Sequence, residues 1–418
     1  MTLITGAAAA RVFLVFAFAY FLSALLRAVT ATLAPVFSRE LALGAGDLGL
    51  LAGAYFLGFA LMQLPLGQAL DRFGPRRVQT ALMTLAVAGC VAFALAQSLA
   101  ALLASRVLIG MGVAACLMAP LTCYRLRFAP ATQLRANAWM LMTGSLGMVA
   151  STLPVQWALP LLGWRGLFVA LAVALALAIA LVGWLAPRDA PCRPDASPAA
   201  TRDGGGYAAI TRHRLFVRLA PLAVVQYGGL IAVQALWAGP WLTEVAGWTA
   251  QAAAGGLFAI NLAMLLAFLA WGALLPRLAA RGLDPMRVVA FGMPVVLVLL
   301  AWAVAGGAST TAVHWAAWCV ASTCVSLTQP ALAQAFPDTL AGRALSAYNL
   351  LIFAGVFAVQ WGLGLAIDIL RAAAWPPQAA FQGAFGGFGL LCLAAYLWFV
   401  LMGRTPGPPG RREGARRA

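Results

Sequence analysis

The sequence predicts an all-α membrane protein with twelve transmembrane helices in two pseudo-symmetric six-helix bundles. Three observations carry this expectation. Of 418 residues, 63% are hydrophobic and 9% charged, where an average soluble chain is roughly a quarter charged. About twelve apolar runs reach the ~20 residues that a helix needs to cross a bilayer. The arginines divide unevenly between alternate connecting loops.

The runs fall near 12–36, 48–69, 78–97, 101–123, 137–160, 166–186, 219–243, 253–275, 288–307, 313–335, 344–370 and 381–403. Backbone amides in hydrocarbon have no water to bond, so such runs must close their hydrogen bonds internally as helices. All 27 basic residues are arginine. With the N-terminus inside, 22 of them fall in cytoplasmic segments, only Arg39, Arg165 and Arg371 fall outside, and Arg27 and Arg106 lie within helices. Positive charge is retained on the cytoplasmic side. An odd number of helices would invert the later loops and spoil the bias. The expected location is a bacterial inner membrane, multi-pass, with both termini cytoplasmic and lipid as a constant partner.

Residues 187–214 break the apolar pattern with Pro, Gly, Asp and Arg, which predicts a cytoplasmic linker. It separates an N-terminal bundle, 1–186, from a C-terminal bundle, 215–403. The Arg-, Pro- and Gly-rich tail, 404–418, is expected to be disordered and to lie near anionic lipid. The halves repeat faintly at an offset of 205 residues: Pro35 with Pro240, Gly67 with Gly272, Arg72 with Arg277.

Several classes of function are disfavoured. The net charge of +16 sits in short loops beside apolar runs, so no nucleic-acid partner is expected. A chain without lysine cannot form an ATP-binding P-loop, and two histidines offer no H-E-x-x-H. No enzyme activity, cofactor or metal site is expected. Cysteines lie in apolar runs apart from Cys192 in the linker, without C-x-x-C, so disulfides are not expected. The first apolar run is too long for a signal-peptide core.

The most informative loop joins the second and third runs. It reads Gly67-Gln68-Ala69-Leu70-Asp71-Arg72-Phe73-Gly74-Pro75-Arg76-Arg77. This G-x-x-x-D-R-x-G-x-R-R resembles the signature loop of the major facilitator superfamily. A second stretch, Arg106 with Gly110 and Gly112, is similar to that family's helix-four motif. The resemblance implies two bundles rocking about a central site, open to one side at a time, with power drawn from gradients. It implies that Gly67 allows close packing of helix two, and that Asp71 latches onto the amide end of helix eleven near Arg343. Arg76 and Arg77 would stay at the headgroups.

Arg27 lies near the middle of helix one, eight residues before Pro35. An intramembrane arginine marks a functional or paired site, and its planar fork suits a carboxylate or phosphate. The arrangement resembles that of organic-anion and sugar-phosphate carriers. Phosphate-ester exchangers of the family also carry a helix-seven arginine; here that helix offers Gln226, Tyr227, Gln234 and Trp237 instead, which favours a monoanion. The competing expectation is an Arg27 that snorkels outward or pairs with Asp47 or Asp368. Tyr20, Gln226, Gln234, Trp237, Asn261, Gln329 and Gln360 are further candidates to contact the solute, with interhelical hydrogen bonding as their alternative role.

The leading expectation is thus a monomeric secondary carrier of a small polar solute, an organic anion first, with a proton or another coupling ion compatible. Efflux of hydrophobic compounds is the second reading, although Gly144, Gly147 and Pro154 only partly match the antiporter pattern of the family. A non-transporting sensor or assembly factor is the third. Copper import, suggested by Met111, Cys116, Met118 and Cys123 on one helix, is a minor fourth.

Overall fold

The computed structural model describes residues 3–189, 205–280 and 284–404. Most of the linker, including Cys192, and the tail from 405 lie outside the described residues. The described chain is helical throughout. In order come α1 (Gly6–Glu40), α2 (Ala45–Phe73), α3 (Pro75–Leu95) and α4 (Leu99–Arg127). Then follow α5 (130–162) and α6 (164–185). The second half holds α7 (Arg214–Val245), α8 (Ala250–Ala280), α9 (Pro285–Gly306), α10 (312–334), α11 (Asp338–Ala372) and α12 (Pro377–Arg404).

Ten helices among the described residues are long and apolar enough to cross a membrane. Beside these ten stand α5 and α10, both broken in mid-course, an arrangement consistent with the expected twelve. In α5 the break falls at Ser151 and Thr152, just before Pro154, whose ring removes an amide and disfavours helix in the preceding residue. At the break the Ser151 carbonyl accepts a 2.8 Å bond from the Thr32 hydroxyl of α1. The α5–α6 turn is made at Gly163, whose φ of 63° suits a residue without a Cβ. In α10 a 3-10 stretch, Thr323–Leu327, separates two helical pieces.

The helices alternate in direction, and the contacts between their ends check this. At one end, here called proximal, the amide of Ile4 donates to Arg127, Arg127 donates to the Arg188 carbonyl, and Arg218 donates to the Phe399 carbonyl. At the other, distal end, Glu40 pairs with Arg165 and Glu244 pairs with Arg371. Each pair joins helix ends that the alternating directions bring together.

Small residues set the close approaches. A Cβ on Gly110 would strike the Tyr55 carbonyl of α2, and one on Gly112 would strike Ala86 of α3. The helix-four motif therefore locks α4 into α2 and α3. The largest seam between the halves is α2 against α11, running antiparallel: Gly49 abuts the Gln360 carbonyl, Gly53 meets Phe357, and Gly364 abuts the Ala45 carbonyl. The α2–α3 turn is made by Gly74 at φ 85°, followed by Pro75 at the first position of α3, where its missing amide costs nothing. Helix α7 holds three π-helical stretches, at Leu222–Tyr227, Val233–Trp237 and Trp241–Val245. Such widened turns gather at functional sites.

Candidate functional site

Arg27 lies where the two halves meet. It is half-buried in α1. Its guanidinium lies 5.6 Å from the ring centroid of Phe59 on α2 and 6.0 Å from that of Phe353 on α11. The phenol groups of Tyr20 and Tyr55 are within hydrogen-bonding reach, and Tyr227 of α7 is within electrostatic reach. Tyr55 itself donates to the Ser23 carbonyl at 3.2 Å, which anchors the ring beside α1. The two ring faces offer attraction of about 0.5–2 kcal/mol each. Phenols and ring faces do not neutralise a guanidinium. Among the described residues Arg27 has no ion-pair partner, and its Nε is buried without a hydrogen bond. Asp47 and Asp368, the acids that the sequence offered as partners, are occupied elsewhere: each caps the start of α2 at the distal end.

A polar chain continues from this point into the second half. The Tyr227 hydroxyl donates to Gln329 of α10 at 3.5 Å, and Gln329 donates to Asn349 of α11 at 2.8 Å. The arrangement gathers one cation, three phenols and two amides from α1, α2, α7, α10 and α11. It can hold a single negative charge on Arg27 and a polar or aromatic body against the rings.

Arg106 supports this site from behind. It is buried in α4, and its Nη1 donates at 3.0 Å to the carbonyl of Leu26, the residue before Arg27. Its guanidinium lies 5.8 Å from the Tyr55 ring and 5.7 Å from the Phe93 ring. It fixes the α1 backbone at the depth of the site and does not itself join the Arg27 cluster.

Of the candidates read from the sequence, Arg27, Tyr20 and Gln329 come together. The others are engaged inside the second half. Gln226 donates to Ser322 at 3.3 Å, Gln234 to Asn261 at 2.9 Å, and the Trp237 indole to the Gln360 carbonyl at 3.1 Å. The Gln360 amide is fully buried with neither of its polar atoms bonded. Tyr55, Phe59 and Phe353 escaped the sequence reading. Their signal was the need of a mid-membrane guanidinium for π faces, without the register to say which rings supply them.

The signature loop takes a distinct form. Asp71 is exposed, and among the described residues it makes no hydrogen bond or ion pair; nothing lies within 4 Å of where a Cβ on Gly67 would project. The free amides at the start of α3 are held instead by Asp189, just past α6, which accepts from Arg76 at 3.2 Å and Arg77 at 2.9 Å. The Arg76 side chain donates to the Gly183 carbonyl. Arg72 lies over the Phe73 ring. At the distal end of the same helix pair, Asp368 of α11 accepts from Ala45 at 3.1 Å and Gly46 at 2.7 Å. That carboxylate caps α2 across the seam between the halves.

A profile for the Major Facilitator Superfamily matches residues 16–360, and the chain belongs to this family. It is a multi-pass membrane transporter, not an enzyme. No curated protein matches the chain. Among solved structures it is similar to a bacterial homologue of the human lysosomal transporter Spinster in an inward-facing, unoccupied conformation, with 18% identity, 96% of this chain and 98% of that one covered, and a TM-score of 0.73. It is also similar to a D-xylose–proton symporter, with 15% identity, 93% and 96% covered and a TM-score of 0.74. A third is the nucleoside transporter NupG, with 10% identity, 96% and 100% covered and a TM-score of 0.73. At these identities the likeness is one of fold.

Proposed function

We propose that the chain is a secondary carrier that moves a small organic monoanion across a bacterial inner membrane by alternating access, with Arg27 holding the charged group. One observation carries the reading: a guanidinium at the junction of the halves, cupped by aromatic rings from both, with no carboxylate among the described residues to neutralise it. An uncompensated cation is costly in a membrane interior, and a transported anion would offset that cost once per cycle. Among the described residues no second basic side chain joins the cluster, since Arg106 is turned to the Leu26 carbonyl behind it, and this favours one negative charge over two. The bundles 1–186 and 215–403 rock about this site, the chain acts as a monomer, and both termini lie in the cytoplasm. In the conformation described, the distal carboxylate latch is engaged and Asp71 is not. The switch motif of Gly67, Asp71, Arg72, Gly74, Arg76 and Arg77 would engage α11 only in the opposite state.

The test is counterflow in proteoliposomes with a panel of monocarboxylates, dicarboxylates, sugars and hydrophobic cations. Monocarboxylates should exchange. Arg27→Gln should weaken their apparent affinity about a hundredfold, the loss of roughly 3 kcal/mol from a charge-assisted fork. Unchanged anion counterflow in a well-expressed Arg27→Gln carrier would overturn the assignment.

A further inference from the structure

A polar cavity of about 440 Å³ opens at the distal end between the halves. Its lining repeats across the duplication. Pro35, Ser38 and Arg39 of α1 are matched, each 205 residues on, by Pro240, Thr243 and Glu244 of α7. That spacing is the offset between the halves, so the cavity straddles the axis relating them. In parallel-repeat carriers this axis runs along the membrane normal, with the solute site on the repeat interface.

Its charge is selective. Among the described residues three arginines, Arg39, Arg165 and Arg371, stand at the distal end. Arg165 is spent on Glu40 at the surface, 2.6 Å away. The other two, Arg39 and Arg371, line this one cavity. Every acid nearby already has a partner: Glu244 pairs with Arg371 at 2.7 Å, Asp368 caps α2 across the seam, and Asp47 caps α2 from within. Arg39 donates its Nε to the Pro35 carbonyl at 3.0 Å and among the described residues has no ion-pair partner. Its terminal nitrogens are left for a ligand. The Nε of Arg371 is buried without a hydrogen bond. Where the first half places Leu43 on the wall, the second places Trp248, so an apolar face stands beside the free cation.

We infer that this cavity is a capture site for a small organic carboxylate, held by Arg39 with Arg371 adjacent and packed on Trp248. The inference takes its ligand class from the organic-anion reading of Arg27, but the site is built from different residues. One unpaired guanidinium suits one negative charge. The head group of an anionic lipid presents similar charge, and the experiment separates the two.

Ala250 lies half-buried in the lining at the start of α8. The described native cysteines are all buried, so Ala250→Cys with Cys192→Ser gives a thiol at the cavity. The full chain in phosphatidylcholine nanodiscs is labelled with a sulfonate-bearing and an ammonium-bearing methanethiosulfonate, with and without benzoate. The anionic reagent should react faster, and benzoate should slow it. Adding Arg39→Gln should cut the anionic rate about tenfold, the effect of ~1.4 kcal/mol of attraction, and abolish protection, without slowing the cationic reagent. Thr243→Cys reads the opposite wall should Ala250→Cys fold poorly. Rates and protection insensitive to Arg39→Gln overturn the proposal. So does protection given only by phosphatidylglycerol nanodiscs, with benzoate silent. Arg27→Gln should leave the labelling preference intact, so the central reading and this one fail separately.

Discussion

Asp368→Asn should tip the carrier toward the state open at its distal end. The aspartate accepts from the Ala45 amide at 3.1 Å and the Gly46 amide at 2.7 Å, bridging α11 to the start of α2. Charge-assisted hydrogen bonds net about 1.5–3 kcal/mol each, against ~1 for a neutral one, and a carboxylate at a helix N-terminus adds about 0.3–1 kcal/mol. Asparagine keeps one acceptor oxygen and loses the charge. Because the site is only partly buried, solvent screens part of the difference, and about 1–2 kcal/mol should be lost from the distally closed state. That corresponds to roughly a five- to thirtyfold shift in the ratio of the two states. Spin labels at Gln97 and Ala372, both exposed at the distal end, would report it by double electron–electron resonance as growth of a longer-distance population. Asp47→Asn is the matched control. Asp47 accepts from Gly44 within its own helix start at 3.2 Å, so its loss should cost a cap, about 0.5–2 kcal/mol of folding stability, without moving the distances. Equal distance distributions for the two variants would refute the reasoning.

Further outcomes follow from the same geometry. Arg27→Lys keeps the charge without the fork and should lose about tenfold in half-saturation for a monocarboxylate, less than Arg27→Gln, measured by counterflow. Gly49→Ala places a methyl against the Gln360 carbonyl; forcing α2 from α11 should cost about 1–3 kcal/mol, read as a lower Tm and more of the distally open state. Asp189→Asn weakens the cap of α3 and should destabilise the protein by about 1 kcal/mol in thermal melts, leaving the distal distances unchanged. Arg106→Met removes a buried cation whose Nη1 donates to the Leu26 carbonyl, so folding should change by less than about 2 kcal/mol. The Leu26 carbonyl loses its partner, however, and monocarboxylate half-saturation should rise in counterflow.

The broad architecture was legible because apolar length and loop charge are properties of whole segments. Gly74 and Pro75 lay in the loop that the sequence marked between the second and third runs, whereas the break in α5 beside Pro154 was not expected. Side-chain roles were harder to read. A helix facing lipid on one side and protein on the other is apolar all round, so α1 carries almost no amphipathic signal to say where Tyr20 or Arg27 points. Gln234 and Asn261 satisfy one another across α7 and α8, which in sequence looks no different from two groups awaiting a solute. The aromatic cup of Arg27 draws on Tyr55, Phe59 and Phe353 from two other helices, a convergence that depends on packing distances. Asp189 looked like linker, since its role depends on the chain turning back beneath α3.

The widened turns of α7 give that helix a reserve of motion. A π turn carries a residue more than an α turn needs. If the Leu222–Tyr227 turn tightened to regular α geometry, the surplus residue would be passed along the rod and the neighbouring side chains would swing by about 100°, the angle between successive residues. Tyr227, at the end of that turn, would rotate away from Arg27 and release Gln329, breaking the polar chain between the halves without displacing either bundle.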